Sequence, residues 1–157
     1  MSLGQTADKL RELGVETVGV VATPADRARL YFRYRPPRYL VGADPDLTSH
    51  RAFGLPRTEV TEEIQQLAGA RVDGLARDVG LTAPPGGGWA ALDRADGIDS
   101  SEHQADFQRH QAQFIGQFLI NQDGVIHWAN VECERDGLEG LDNFPTDDEL
   151  LAAVRSL

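Results

Sequence analysis

The chain has 157 residues, 41% of them hydrophobic, which predicts a single globular domain with a substantial core. No apolar run approaches the roughly 20 residues that a bilayer-spanning helix requires. The formal net charge of −10 argues against a nucleic-acid partner, because such a partner needs a basic protein surface that displaces counterions from phosphates. We therefore expect no membrane partner and no nucleic-acid partner.

Cysteine use narrows the chemistry further. The single cysteine, Cys133, excludes an intrachain disulfide and argues against a cysteine-based zinc site. The N-terminal sequence MSLGQTADKL lacks the basic and apolar regions of a secretion signal, so we expect a cytoplasmic location. The Met-Ser-Leu start is compatible with a cloning leader, a fragment or a late start of a longer protein, and the sequence does not separate these.

The first third of the chain alternates helices and strands. A helix is predicted over residues 6–13, where apolar residues recur at helical spacing before Gly14. Residues 17–22 form a continuous apolar run rich in β-branched side chains, typical of a strand with both faces buried. A helix over residues 24–33 follows, with Thr23 as its N-cap and Pro24 in its first helical position.

A second strand and a short helix complete this part. Residues 39–42 predict an edge strand, and residues 47–53 predict a helix that ends at Gly54. The order helix, strand, helix, strand, helix predicts an α/β fold.

A cluster of arginines and aromatic residues accompanies the second predicted helix. It resembles a nucleic-acid stacking platform, but the acidity of the chain favours an amphipathic helix with solvated arginines. The cluster comprises Arg27, Arg29, Tyr31, Phe32, Arg33, Tyr34, Arg35, Arg38 and Tyr39.

Residues 57–113 predict a mostly helical insertion within one domain that spans residues 1–157, since the block has too few large apolar residues for its own core. Helical spacing extends over residues 60–79, a loop over 84–88, and a polar helical stretch over 101–114. Trp89 is expected to pack on the sheet rather than line a pocket.

The C-terminal part predicts a hairpin and a helix. Two apolar strands, residues 118–120 and 125–128, flank a tight turn at Asn121–Gly124. A helix over residues 145–157 follows, and Thr146 with Glu149 forms the T-x-x-E pattern of a capping box.

This order of elements resembles a thioredoxin-like fold, and more specifically the AhpC/TSA redoxin (peroxiredoxin-like) family. Three segments carry the resemblance. GVETVGVVATPADRARLY is similar to the family's second core strand and the helix after it, and ADPDLTSHRAFGL to its strand–D-P-D–helix–A-[FY]-G passage. GQFLINQDGVIHWAN is similar to its closing F-[IL]-I-D-x-x-G-x-[IV] hairpin.

The resemblance implies a three-layer α/β sandwich, incomplete at its N-terminus, with antioxidant thiol-peroxidase or thiol–disulfide oxidoreductase chemistry. In that family a first strand and the helix after it carry the peroxidatic cysteine, whose pKa is lowered at the helix N-terminus. This chain begins at what would be the C-terminal end of that helix, so no catalytic residue carries over. Gln117 stands where the family often has an arginine before the hairpin.

The first strand of that family lies between the counterpart of residues 17–22 and the hairpin. Without it, we expect residues 17–22 to pair directly with residues 118–120, or with a strand from the insertion or a second subunit. An open apolar edge also favours self-association, so we expect a homodimer through that edge.

Two interpretations of function stay open. In the first, the chain is a truncated or catalytically degenerate redox protein whose active cysteine lies in another segment, and only a longer form consumes thiol with peroxide. In the second, it is a non-catalytic binding or dimerisation module. No catalytic residue, cofactor or metal is assigned under either.

The remaining candidate residues favour structural roles. Cys133 lies between Glu132 and Glu134, and such carboxylates raise the pKa of a thiol, which argues against a resolving cysteine. His127 is expected on the solvated face of the hairpin. Residues 86–88 lack the strand-to-helix context of a phosphate cradle.

Two histidine-containing clusters were weighed as sites. His103 and His110 are seven positions apart, about 10 Å along a helix, too far to share a metal even with Asp106 between them. His50 with Asp44 and Asp46 has the groups for acid–base chemistry. At a helix start, however, the two aspartates more simply cap the helix and complement its dipole.

Overall fold

The computed structural model describes residues 3–33, 36–97, 101, 108 and 110–157. The chain divides into two compact units, one formed by Met1–Pro56 with Phe114–Leu157 and the other by Arg57–Gln113. The second unit has the bounds of the predicted helical insertion. That residues 1–157 act as a single domain stays a prediction.

Helices and short strands alternate through the described residues, which confirms a mixed α/β architecture. The strands form three two-stranded sheets, β1–β2, β3–β4 and β5–β6. In chain order the elements are α1 (Leu3–Glu12), β1 (Val18–Val21), α2 (Ala25–Tyr31), β2 (Leu40–Ala43), α3 (Thr48–Ala52), β3 (Arg57–Thr58), α4 (Glu62–Asp78), α5 (Gly88–Asp96), β4 (Ala112–Gln113), β5 (Gly116–Ile120), β6 (Ile126–Val131), a 3-10 turn (Gly137–Gly140) and α6 (Asp147–Arg155).

The parallel pair β1–β2 exposes one of its two faces. The register sets Val18 beside Leu40 and Val20 beside Gly42. The side chains of Val18, Val20 and Leu40 are 60%, 53% and 70% exposed. The prediction that this strand is buried on both faces is therefore wrong, because the described residues cover only the face of Gly19 and Val21.

The edge of β1 opposite β2 is free among the described residues. β1 pairs with β2, β5 with β6, and the two strands of the second unit with each other. Direct pairing of β1 with β5 and completion of β1 by β3 or β4 are therefore not found among the described residues, and the third expected alternative, a strand from a second subunit, stays a prediction. Because the Val21 carbonyl accepts from the Asp44 amide at 2.9 Å, the alternating residues Val18 and Val20 direct their amides toward the free edge.

The start of α2 differs by one residue from the prediction. Pro24 is the N-cap, with φ −60° and ψ 152°, and no side chain caps the helix. Thr23 is therefore not the cap, and Pro24 is not the first helical residue. The extended ψ of Pro24 explains the shift, since helical dihedrals begin only at Ala25.

The two ends of the chain meet through Asp147. The buried hydroxyl of Thr6 donates to Oδ1 of Asp147 at 2.6 Å, and the Lys9 ammonium donates to Oδ2. The Lys9 and Thr6 hydrogen bonds hold the pKa of Asp147 below its ordinary value of 3.8. The carboxylate also lies in the first turn of α6, where the helix dipole favours negative charge.

The helix α6 begins as the sequence predicts. The Thr146 hydroxyl accepts from the Glu149 amide, and the Glu149 carboxylate accepts from the Thr146 amide, which completes the capping box. Leu150 is buried beneath this turn.

In the second unit, Asp73 of α4 fixes the start of α5. Its carboxylate accepts from the amides of Gly86 and Gly88 at 2.6 and 2.8 Å. The predicted loop therefore ends at Gly87, and α5 begins at Gly88. Trp89, which was predicted to pack on the sheet, is 58% exposed because Gly88 and Ala91 form the buried face of α5.

The polar stretch at residues 101–114 is only partly described. Residues 102–107 and 109 lie outside the described part, and so do His103 and Asp106. Ala112 and Gln113 form strand β4, so the predicted helix does not extend to residue 114.

We predict opposite effects for two glycine substitutions in the second unit. A Cβ at Gly88 would lie 2.8 Å from backbone atoms of Val72 and Asp73, whereas a Cβ at Gly69 of α4 would meet nothing within 4 Å. Gly88→Ala should lower the free energy of unfolding by about 1–3 kcal/mol through overpacking. Gly69→Ala should raise it by about 0.5–1 kcal/mol through helix propensity. Urea unfolding of both variants checks this, and a Gly88→Ala protein as stable as wild type would contradict the packing.

Candidate functional site

The hairpin β5–β6 positions the candidate site. At its turn the Asn121 side chain accepts from the amides of Asp123 and Val125, and Gly124 has a φ of +80°. A register shift next to Leu119 leaves His127 as an extra residue in β6. His127 is exposed and lies 3.0 Å from the Asn121 amide nitrogen, so its predicted place on the solvated face is confirmed.

A chain of three polar side chains crosses from β5 to the segment after β6. Asn130 is only 9% exposed, and its amide nitrogen donates to the Gln117 side-chain oxygen at 2.8 Å. Its amide oxygen accepts from the Arg135 guanidinium at 3.1 Å. Gln117 therefore fixes Asn130, and Asn130 orients Arg135.

Glu132 is a buried carboxylate with a structural role. It is 5% exposed, and its two oxygens accept from the backbone amides of Ile115 at 2.9 Å and Asp142 at 2.7 Å. These bonds compensate the cost of burying the group. Because both oxygens accept from backbone amides, Glu132 joins two segments of backbone.

A cavity of about 430 Å³ lies between these residues and α6, within the size range of small-molecule sites. Hydrogen bonds from the Thr146 amide and hydroxyl lower the pKa of Glu149, and the nearby charge of Arg135 contributes. Both charged groups line the cavity. The other lining residues that matter here are Trp128, Asn130, Cys133 and Phe144.

Cys133 also lines this cavity, in a setting that disfavours the thiolate. The residue is half-buried and has a φ of +63°. Burial raises the pKa of the Cys133 thiol above its ordinary value of 9.0, and the charges of Glu132 and Asp142 raise it further. Reactive cysteines have the opposite surroundings, with positive charge or a helix N-terminus.

The group formed by Asp44, Asp46 and His50 is structural at two of its three positions. Asp44 accepts from the amides of Thr48 and Ser49, which confirms it as a helix cap. Hydrogen bonds from the Ser49 side chain and the Thr48 amide lower its pKa. The predicted cap at Asp46 is not found among the described residues, because it is the backbone carbonyl of Asp46, and not its carboxylate, that accepts from Arg51, at 2.7 Å. The Nε2 atom of His50 is buried and has no hydrogen-bond partner among the described residues, so it does not bond either carboxylate.

No metal site is found in the described part of the chain. None of its His, Cys, Asp and Glu residues form a group of three or more that could hold a metal ion. His110 is described, and its Nε2 atom is buried without a hydrogen-bond partner in the described part of the chain, whereas His103 and Asp106 lie outside that part. The amides of Gly86 and Gly88 are occupied by the Asp73 carboxylate, in agreement with the absence of a predicted phosphate cradle.

Asn130, Arg135 and Glu149 are not predicted as a group from the sequence. The alternation of side chains along β6 does predict that Trp128 and Asn130 lie on the same face of the strand. The approach of Arg135 and α6 to that face depends on the turns between residues 131 and 146, which local patterns do not specify.

Comparison with known proteins adds no relative. No protein family, no curated protein and no solved structure matches the chain. Among the described helices, none has both the length and the apolar character needed to cross a membrane. The assignment of function therefore depends on the geometry.

We predict that Cys133 reacts slowly at neutral pH. Because the thiolate is the nucleophile, the rate of alkylation by iodoacetamide should be low at pH 7 and reach half its maximum above pH 9.0. Glu132→Gln should move that profile to lower pH by removing one negative charge, whereas Glu134→Gln serves as a control and should leave it in place. A wild-type rate at pH 7 equal to that of free cysteine would contradict this environment and restore a redox role for Cys133.

Proposed function

We propose that the chain is a thioredoxin-like protein related to the AhpC/TSA redoxins, whose thiol chemistry uses a cysteine outside this chain. One observation carries the proposal. The first unit contains a parallel β-α-β element, β1–α2–β2, and a hairpin followed by a helix, β5–β6–α6. These are the two halves that the resemblance implies, in the implied order.

The free edge of β1 supports a further strand beside it. Natural edge strands are commonly protected by charged residues, proline or a bulge. Residues 17–22 contain no charge and no proline, and β1 pairs with β2 in an unbroken register. A strand bearing the nucleophile would pair with the amides of Val18 and Val20 and would lie between β1 and the hairpin, as the resemblance implies.

The environment of Cys133 supports an external nucleophile. Burial and two carboxylates raise the pKa of its thiol, so this cysteine has little thiolate at neutral pH to attack a peroxide. In the proposed reaction a thiolate attacks one oxygen of hydrogen peroxide, the O–O bond breaks, the other oxygen leaves as hydroxide and is protonated to water, and the cysteine becomes a sulfenic acid. One thiol of the reductant then displaces water to form a mixed disulfide, and a second thiol releases the cysteine and leaves the reductant as a disulfide.

The proposal predicts activity only in a longer form of the protein. Intact mass and N-terminal sequencing of the endogenous protein should reveal an upstream segment with a cysteine. That species should consume hydrogen peroxide in the presence of a thiol reductant, and replacing the upstream cysteine by serine should abolish this. The 157-residue chain serves as a matched control and should match its own Cys133→Ser variant. An endogenous protein that starts near Gly4 would contradict the proposal.

A non-catalytic dimerisation module is the second candidate. The exposed side chains of Val18, Val20 and Leu40 favour it, because these apolar groups lie beside an unprotected strand edge. Two copies can pair β1 with β1 in antiparallel fashion about a two-fold axis. Since residues 17–22 carry no charge, this pairing places no like charges opposite each other despite the net charge of −10.

This candidate predicts a dimer that one charge at the edge dissociates. Wild-type chain should sediment as a dimer, and Val20→Lys should sediment as a monomer because a lysine at an edge opposes strand pairing. Val125→Lys is the matched control, since Val125 is 53% exposed at the hairpin turn and should leave the dimer intact. A monomeric wild-type protein at micromolar concentration, or a dimeric Val20→Lys variant, would contradict a dimer through β1.

A further inference from the structure

We propose that the cavity between β6 and α6 binds a small zwitterion of amino-acid or dipeptide size. Arg135 would bind its carboxylate and Glu149 its ammonium group, with Trp128 against its side chain. Every residue concerned lies within the first unit. The inference does not depend on the proposed redox function.

Arg135 forms the part of the site that would bind the carboxylate of the ligand. One of its nitrogens donates to the Asn130 side-chain oxygen at 3.1 Å, and this is its one hydrogen bond to the described residues. A guanidinium has five N–H donors, so most of them remain for a ligand. Because Asn130 is buried and held by Gln117, the exposed Arg135 side chain has one fixed anchor before a ligand arrives. Such preorganisation reduces the entropic cost of binding.

Glu149 forms the part of the site that would bind the ammonium group of the ligand. Oε2 of Glu149 accepts from the Thr146 amide at 2.7 Å and the Thr146 hydroxyl at 2.9 Å. Oε1 has no hydrogen-bond partner among the described residues. Asp136 and Glu132 also line the cavity and add negative charge, although each oxygen of Glu132 already accepts from a backbone amide.

This mixture of charges selects the ligand class. A simple anion that binds Arg135 would be repelled by Glu149 and Asp136, in a chain whose net charge is already −10. A simple cation would be attracted by the carboxylates of the lining but would leave the N–H donors of Arg135 without a ligand partner. A molecule with one charge of each sign is complementary to both groups.

The apolar wall indicates the side chain of the ligand. Trp128 is half-buried, and Phe144, Ala152 and Ala153 complete the lining around it. Aromatic rings stack favourably at such surfaces. The volume of about 430 Å³ accommodates an aromatic amino acid or a dipeptide.

Three related ligands test the charge requirement on the wild-type protein. L-Phenylalanine carries both charges, N-acetyl-L-phenylalanine only the negative one, and L-phenylalanine amide only the positive one. In ¹⁵N–¹H NMR titrations, L-phenylalanine should shift the amides of Asn130, Cys133 and Arg135. Each singly charged analogue should bind at least about tenfold more weakly, since a hydrogen bond to a charged group is lost.

Two variants and their matched controls test the residues. Arg135→Gln and Glu149→Gln should each weaken L-phenylalanine binding by about tenfold or more. Glutamine at position 149 preserves the capping box, so α6 should stay folded. Arg155→Gln and Asp148→Asn make the same changes of charge at positions that do not line the cavity, and they should bind as wild type does.

Several results would overturn the proposal. These are no binding of L-phenylalanine to the wild type, equal affinity for either singly charged analogue, and unchanged affinity of a folded Arg135→Gln variant. Binding elsewhere, seen as shifts outside the cavity, would also overturn it. None of these results bears on peroxide consumption by a longer form, so failure here is distinguishable from failure of the redox proposal.

Discussion

The pairing requirement of β1 is the constraint on which the first unit depends. A strand presents backbone donors and acceptors at both edges, and parallel sheets are normally covered on both faces. Here β2 satisfies one edge, and the described residues cover one face. The other edge exposes the amides of Val18 and Val20 to water, which satisfies them at little cost, but the valine side chains beside them remain uncovered. A partner strand at this edge would cover part of that apolar surface, and each Å² removed from water contributes roughly 25 cal/mol.

Both functional candidates answer this same requirement. A strand that carries the reactive cysteine and a second copy of the chain would each complete the β1 edge, and each would favour the absence of charge in residues 17–22. They differ in chemistry, because only the first supplies a thiol with a low pKa. The thiol within the chain, Cys133, has a pKa that burial and neighbouring carboxylates raise. The described fold therefore does not itself supply the reactive thiol.

The cavity between β6 and α6 does not depend on the pairing of β1. Its organisation begins with Gln117, whose side chain holds Asn130 and, through it, Arg135. Buried polar groups of this kind are stable only when each has a partner, and the chain of three side chains satisfies that condition. Gln117 therefore organises the polar side of this cavity.

Local sequence patterns predict the helix caps and the hairpin turn. The partners of the strands and the exposure of their side chains depend on long-range contacts. The capping box at Thr146, the cap at Asp44 and the hairpin turn at Asn121 are set by neighbours within five residues, and all three are confirmed. The partner of β1 and the exposure of Trp89 depend on segments far away in sequence. The same is true of the cavity, since Arg135 and Glu149 meet only after the turns between them have formed.

Amide hydrogen exchange along β1 is the most direct test of the open edge. In dilute chain, the amides of Gly19 and Val21, which face β2, should be protected, while those of Val18 and Val20 should exchange nearly as fast as in an unfolded chain. This alternation should disappear when a partner strand binds. Equal protection of all four amides in the dilute chain would show that both edges are already paired, and would contradict the account of β1 as an edge that awaits a partner.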